Sequence, residues 1–145
     1  MTQVHCPACG AVNRVPEGRA GQPARCGKCH APLAIATGPV TVTDDNFAAI
    51  VLAARMPVVL DCWADWCGPC HMLAPTIDAL ARDYAGRVTV GKLDVDANPA
   101  TAARFEIRSI PALLLFRDGA LVDRLVGVQP RGAIDQRLAA LLLST

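Results

Sequence analysis

The sequence lacks a strong charge of either sign and lacks any long apolar segment. Its 145 residues carry 14 Lys and Arg against 13 Asp and Glu, a net charge of +1. A balance this close to neutral argues against a protein that binds nucleic acid through its charge. The longest compact apolar stretch, residues 111–116, is far too short to span a bilayer, and the first residues show no export signal. We therefore expect a cytoplasmic protein with no membrane segment and no nucleic-acid partner.

Cysteine, by contrast, is abundant and regularly spaced. Six of the seven cysteines form three Cys-x-x-Cys pairs, which are Cys6 and Cys9, Cys26 and Cys29, and Cys67 and Cys70. In a reducing compartment such clusters bind metal or carry out chemistry more often than they form structural disulfides. The seventh, Cys62, lies in an apolar run, which favours a small buried residue over a regulatory thiol.

The most informative motif is Trp66-Cys67-Gly68-Pro69-Cys70, which follows an apolar run at residues 57–60 and precedes a helical pattern. At the start of a helix, backbone amides without partners carry partial positive charge and favour a thiolate. Two sulfurs at this spacing can close a disulfide with little backbone movement. The motif therefore predicts a site of dithiol–disulfide exchange, with Cys67 exposed at the turn and Cys70 one turn further into the helix.

Residues 1–36 differ from the rest of the chain, with a net charge of +3, many Gly and Pro, and little hydrophobic periodicity. A segment this short needs disulfides or a bound metal ion in order to fold. Its two Cys-x-x-Cys pairs, sixteen residues apart, offer four thiolates for a tetrahedral zinc ion, whose binding stabilises the fold. The flanking His5 and His30 are not expected to be ligands. Two structural disulfides, or a disordered tail, are the alternatives.

From residue 37 onward strand and helix patterns alternate. Strands are predicted at residues 40–43, 57–63, 88–95, 113–116 and 121–126, and helices at 44–54, 67–84, 99–105 and 130–143. Asp44 or Asp45 is expected to cap the first helix, Asn98 to cap the third, and Asp118-Gly119 to turn a hairpin. The order predicts an α/β fold with a mixed sheet and helices on both faces. The predicted domains are residues 1–36 and 37–145.

This order, together with the Cys-Gly-Pro-Cys turn, resembles the thioredoxin family across residues 40–143. The resemblance extends to residues 59–64, 74–75, 92–96, 107–111 and 126–127. With the N-terminal cysteine pairs, the whole chain resembles the bacterial thioredoxin 2 type, in which a zinc ribbon precedes a thioredoxin fold. The resemblance implies a monomeric protein-disulfide reductase with one structural zinc and no organic cofactor. Its implied partners are disulfide-containing client proteins and an NADPH-dependent thioredoxin reductase.

The resemblance also implies a role for each site residue. Cys67 would attack a client disulfide, and Cys70 would then resolve the mixed disulfide. Asp61, in an otherwise apolar strand, should have a raised pKa and accept the proton of Cys70, and Lys92 would modulate Asp61 by its charge. Pro111 matches the family's cis-proline. The surrounding binding surface would comprise Trp66, Gly68, Pro69, Ile110 and Gly127, whereas Trp63 is expected in the core.

Three positions depart from the family pattern. His71 stands where Lys or Arg is usual, Ala112 where Thr is usual, and Cys62 where an aromatic residue is usual, which leaves redox tuning and fine specificity open. Both Cys26 and Cys67 also begin a Cys-x-x-Cys-His sequence, the pattern of c-type haem attachment, which the expected cytoplasmic location disfavours. The missing export signal likewise disfavours a disulfide-forming oxidase. The alternative function is a binding module in which the zinc ribbon senses oxidants and the thioredoxin domain is a scaffold.

Overall fold

The computed structural model describes residues 2–6, 8–15, 24–30, 32–33 and 38–143. The strands within these ranges are β1 (Thr2–His5), β2 (Val12–Val15), β3 (Ala24–Arg25), β4 (Pro32–Leu33), β5 (Val40–Thr41), β6 (Val58–Trp63), β7 (Thr89–Asp94), β8 (Ala112–Arg117) and β9 (Ala120–Val126). The α-helices are α1 (Gly68–Asp83), α2 (Pro99–Arg104) and α3 (Arg131–Leu143). Among these described helices none has the length and apolar character that crossing a bilayer requires. The predicted domain boundary at residues 36 and 37 lies outside the described ranges.

Two short hairpins carry the N-terminal cysteine pairs. Strand β1 pairs antiparallel with β2, and β3 pairs antiparallel with β4. The first Cys-x-x-Cys pair lies in the turn between β1 and β2, and the second lies between β3 and β4. Two-stranded hairpins of this size are marginal in water. A fold built from them therefore needs a further source of stability.

The larger sheet has five strands in the order β5-β7-β6-β8-β9. The central strand β6 runs parallel to β7 and antiparallel to β8, and the antiparallel strand β9 closes one edge. Every residue of β6 except Trp63 is buried, as are the first five residues of β8. This burial explains why both strands are nearly continuous apolar runs. The predicted mixed sheet is confirmed.

Apolar side chains cover both faces of this sheet. One face packs against α1 and α3 through a buried cluster that includes Val59, Leu73, Ile77, Leu113, Ile134 and Leu138. The other face carries a second cluster that includes Phe47, Val51, Leu60, Leu93, Leu114 and Phe116. Burying one such side chain contributes roughly 1.5–3 kcal/mol, so the two clusters provide most of the driving force for folding. They also bury β6 at the centre of the sheet, and the chain passes from the end of this strand into the Cys-x-x-Cys turn.

One of the two predicted helix caps is wrong. Asn98 is the N-cap residue of α2, as predicted, although its side chain makes no capping hydrogen bond, whereas neither Asp44 nor Asp45 caps a helix over residues 44–54. Instead of a helix over residues 44–54, the chain forms one short π-helix at Ala48–Leu52, and the Asp44 carboxylate lies at the start of α2. It accepts hydrogen bonds from the amides of Ala100 and Thr101 and from the Thr101 hydroxyl, at 2.7–3.2 Å. The Asn98 side chain accepts from the Asp44 amide rather than from its own helix. An anionic oxygen is the stronger acceptor for the amides of a helix start.

Candidate functional site

A disulfide between Cys67 and Cys70 lies where β6 passes into α1. Cys67 is the residue at the N-terminal cap of the helix, and its sulfur accepts a hydrogen bond from the Cys70 amide at 3.2 Å. Pro69 occupies the first turn, where its missing amide hydrogen is not needed. The Cα atoms of the two cysteines are 5.3 Å apart, within the ordinary range for a disulfide. The sequence motif thus forms the redox bond that its spacing predicts.

Cys67 is not exposed, contrary to the prediction. Only 3% of its surface is accessible, because both half-cystines pack with Ala64 in a small apolar cluster that Trp63 and Ile110 contact. Solvent reaches the turn itself instead, since Gly68 and Pro69 are exposed. A partner must therefore approach across this turn and the side chains around it.

Asp61 is a buried carboxylate on β6, with 1% of its surface accessible. Neither of its oxygens has a hydrogen-bond partner among the described residues. Burial raises the pKa of Asp61 from 3.8 to about 6; the positive charge of Lys92 partly opposes this rise, and the negative charge of Asp78 adds to it. A carboxylate in such surroundings binds a proton readily near neutral pH.

Lys92 lies directly opposite Asp61 in the parallel register of β6 and β7. Its ammonium is 4.7 Å from the centre of the Trp63 ring. The edge of the same ring meets the imidazole of His71, with 6.2 Å between ring centres. The His71 Nε2 donates to the Asp65 carbonyl at 2.8 Å. Trp63 is therefore half-buried between Lys92 and His71, and it packs against the buried cluster that contains Cys67 and Cys70.

The residues predicted to surround the disulfide divide into two groups. The peptide bond from Ile110 to Pro111 is cis, and the Pro111 carbonyl accepts from the Gly127 amide at 2.8 Å. Ile110 contacts the cysteine cluster, so this group lies beside the disulfide. Trp66 is 71% exposed, and its indole N–H donates to the Asp96 carboxylate at 2.7 Å. Met72, in the first turns of α1, is also exposed, and the sequence could indicate this because Met72 lies off the apolar face of the helix.

The four N-terminal cysteines form a second cluster of sulfurs. All four Sγ atoms lie within 4.8 Å of one another, with Cys6 to Cys29 at 3.5 Å and Cys9 to Cys26 at 3.7 Å. In tetrahedral zinc–sulfur coordination with bonds of about 2.3 Å, adjacent sulfurs are about 3.8 Å apart. The sulfurs therefore fit a zinc ion.

Backbone and side-chain donors surround this cluster. The backbone N–H of Cys29, the Asn13 amide and the N–H of Lys28 lower the pKa of Cys26 to about 6. The Asn13 oxygen also accepts from the Gly27 amide at 2.9 Å, so this side chain links the two knuckles. Sequence reasoning missed Asn13, because a single Asn in a four-residue strand carries no metal signal. Such N–H groups favour the thiolate form that metal binding requires.

These features define the class of the protein. A disulfide at a helix start opens to give a thiolate that the helix amides stabilise, and such a thiolate exchanges with other disulfides. At the start of the helix that follows the central strand of a mixed sheet, and beside a cis-proline, this is the site of a thiol–disulfide oxidoreductase. The sequence comparisons agree with that class.

Residues 38–140 match the thioredoxin family model, and residues 5–31 match the model of the thioredoxin 2 N-terminal region. A thioredoxin of Mycolicibacterium smegmatis is 48% identical over 102 residues, which cover 69% of this chain and 91% of that protein. A thioredoxin of Staphylococcus haemolyticus is 51% identical over 92 residues, covering 63% and 86%. Thioredoxin 1 of a Nostoc species is 45% identical over 97 residues, covering 67% and 91%. The chain belongs to the thioredoxin family.

Proposed function

We propose that this chain is a cytoplasmic, monomeric protein-disulfide reductase that an NADPH-dependent thioredoxin reductase regenerates. Its zinc ribbon comprises residues 1–36 and its thioredoxin domain residues 37–145. The observation that carries the proposal is the Cys67–Cys70 disulfide at the start of α1, together with the buried Asp61 on β6, whose carboxylate oxygens have no hydrogen-bond partner among the described residues. A disulfide and a base in one site are what a dithiol exchange reaction needs.

The first step belongs to Cys67. In the reduced protein its thiolate attacks one sulfur of a client disulfide, so that a Cys67–client bond forms and the second client sulfur leaves as a thiolate. The amides at the start of α1, including that of Cys70, stabilise the Cys67 thiolate. The client chain would lie along Ile110 and Pro111. Further contacts would come from Trp66, Gly68, Pro69 and Gly127.

The second step belongs to Cys70. Asp61 accepts the proton of the Cys70 thiol, and the resulting thiolate attacks the Cys67 sulfur. The Cys67–Cys70 bond forms, the client leaves with its second sulfur reduced, and two electrons have passed to it. Lys92 tunes the basicity of Asp61 through its charge, because it is the nearest cation in the strand register. The oxidised protein then matches the disulfide-bonded structure described above.

The N-terminal cluster is a structural zinc site in this proposal. Cys6, Cys9, Cys26 and Cys29 would be the four ligands, and the fit of their sulfurs supports this assignment. A bound zinc ion supplies folding free energy rather than redox chemistry. It would provide the stability that the two short hairpins lack.

The test is dithiothreitol-driven reduction of insulin, with zinc content measured on the same samples. We expect Cys67→Ser to reduce insulin no faster than dithiothreitol does, and Cys70→Ser to accumulate mixed disulfides, because resolution fails. Cys62→Ala is the matched control, since this buried thiol lies outside the exchange reaction and its loss should leave catalysis intact. Normal activity of Cys67→Ser would contradict the proposal.

A second candidate function is an oxidant-sensing binding module. It is favoured by one observation, that Cys9 and Cys29 are exposed whereas Cys6 and Cys26 are buried. Exposed thiolates at a metal site are accessible to peroxides, and two peroxide molecules would convert the four thiolates to two disulfides and release the metal. Partner capture that is equal for the full chain and for residues 38–145 would leave this candidate without support.

A further inference from the structure

Three side chains at the active-site end of β6 and β7 share one face of the sheet. Asp61 and Trp63 are two residues apart on β6, and Lys92 is the register partner of Asp61 on β7. Residues two apart in a strand point to the same face, and register partners in adjacent strands are neighbours. The Lys92 side chain therefore extends next to both Asp61 and Trp63.

Lys92 and Asp61 nevertheless form no ion pair in the structure. Neither oxygen of the buried Asp61 has a hydrogen-bond partner among the described residues. The Lys92 ammonium lies over the Trp63 ring instead, 4.7 Å from its centre, inside the range of a cation–π contact. An ammonium close to a buried carboxylate would ordinarily pair with it, because their attraction is strong where water is excluded. The aromatic face is the competing partner that the structure offers.

The indole is itself held in place. Its ring meets the edge of the His71 imidazole, and His71 is fixed by its hydrogen bond to the Asp65 carbonyl. Trp63 also contacts the apolar cluster that contains Cys67 and Cys70. The Trp63 ring thus contacts both His71 in the first turns of α1 and the cluster that contains the disulfide. This placement makes it part of the active site rather than of the general core.

We propose that Trp63 is a positioning residue whose indole face binds the Lys92 ammonium and keeps that cation out of an ion pair with Asp61. This inference rests on the proposed function, in which Asp61 is the base for Cys70. A carboxylate in a direct ion pair with Lys92 would stay ionised and bind protons weakly. A carboxylate that interacts with the Lys92 charge only at a distance accepts a proton readily. The charged groups acting on Asp61 are Lys92 from β7 and Asp78 from α1, and the thiol of Cys70 is the proton donor it would serve.

The first test is decided by the unsubstituted protein. In the proton NMR spectrum of the oxidised full-length protein, the ε-methylene protons of Lys92 should be shifted upfield by the ring current of Trp63. The same protons should have ordinary shifts in Trp63→Leu. Ordinary shifts in the unsubstituted protein would overturn the proposal, whether or not the variant folds.

The second test is a double-mutant cycle read by the pKa of Asp61, measured from its carboxyl carbon resonance. Introduced alone, Lys92→Met should raise the pKa of Asp61. Introduced into Trp63→Leu, it should raise this pKa by about one pH unit more than it does alone, because in Trp63→Leu the freed ammonium pairs with Asp61. Equal rises in the two backgrounds would overturn the proposal, since loss of the ring would then change solvation alone. Trp63→Tyr is the conservative rescue and should behave like the unsubstituted protein.

The two proposals can fail separately. Normal insulin reduction by Asp61→Asn would contradict the role of Asp61 as a base, while the cycle would still report where Lys92 lies. Conversely, Lys92→Met could raise the pKa of Asp61 equally in both backgrounds while Asp61→Asn reduces insulin slowly. That result would support Asp61 as the base and reject Trp63 as the residue that positions Lys92.

Discussion

At the scale of a single residue, the buried Asp61 destabilises the fold when it is ionised. Burial raises its pKa from 3.8 to about 6, so the folded chain binds this proton more tightly than the unfolded chain does. Stability therefore falls as the pH rises from about 4 to about 6, and above that window the loss is complete. A shift of about two pH units corresponds to a loss of ~3 kcal/mol.

Replacing Asp61 with Asn tests this linkage. The neutral amide has nearly the shape of the protonated acid, so we expect little difference in the free energy of unfolding below about pH 4. Above pH 6 the variant should be more stable by up to ~3 kcal/mol. Guanidinium unfolding of the oxidised proteins from pH 4 to pH 8 measures the difference in unfolding free energy at each end of this range. The control is the variant Asp45→Asn, which changes an exposed carboxylate. A difference that does not change with pH would contradict the argument.

The residues of the redox site differ in how far sequence could predict them. Cys67 and Cys70 follow from their spacing, and Asp61 is conspicuous as a charge within an apolar strand. Trp63 could not be assigned in this way, because its partners, Lys92 and His71, come from β7 and α1 and depend on strand register and helix docking. The sequence shows which side chains are unusual for their surroundings. Contacts between side chains of different strands and helices can be seen only once the fold is known.

At the scale of elements, the start of α2 depends on a carboxylate far away in the chain. Asp44 accepts three hydrogen bonds there, of which that from the Thr101 hydroxyl contributes most to lowering the pKa of Asp44. We expect Asp44→Ala to lower the melting temperature by about 5 °C at pH 7, as loss of a helix cap does. Because the folded pKa is lowered, the contribution is present above the unfolded pKa near 4 and is lost as the pH falls further.

Asp45→Ala is the matched control for this prediction, since its exposed neighbouring carboxylate caps no helix in the described part of the chain. Calorimetry of both variants at pH 7 and pH 3 gives the comparison. Equal melting temperatures for the two variants at pH 7 would show that Asp44 is not the cap of α2.

The elements also show where local pattern was sufficient. Long periodic segments such as α1 and α3, and the apolar strands β6 and β8, lie close to their predicted positions, because each buries a whole face. The helix predicted over residues 44–54 is shorter in the structure, since only residues 47–52 are helical there and Asp44 accepts hydrogen bonds from α2 instead. The strands of the two N-terminal hairpins are two to four residues long, too short for any periodicity to predict.

At the scale of the whole molecule, the three thioredoxins compared above align with about two thirds of the chain. The Mycolicibacterium protein aligns over 69% of this chain but over 91% of its own length, so a thioredoxin exists there without the N-terminal segment. The β5–β9 sheet, its two apolar clusters and the Cys67–Cys70 disulfide all lie within residues 38–143. Residues 38–143 therefore contain their own apolar core as well as the Cys67–Cys70 disulfide.

This division predicts the outcome of removing the ribbon. A chain shortened to residues 38–145 should stay folded, bind no zinc, and reduce insulin within about twofold of the full-length rate, because every group in the exchange reaction is retained. Removing zinc from the full chain with a chelator should likewise leave insulin reduction unchanged, although the four cysteine thiols of the ribbon should become titratable. Circular dichroism, zinc analysis and insulin turbidity on the same samples provide the measurements. A loss of activity in both experiments would mean that the metal site helps to form the redox site, because zinc and ribbon would then be required together.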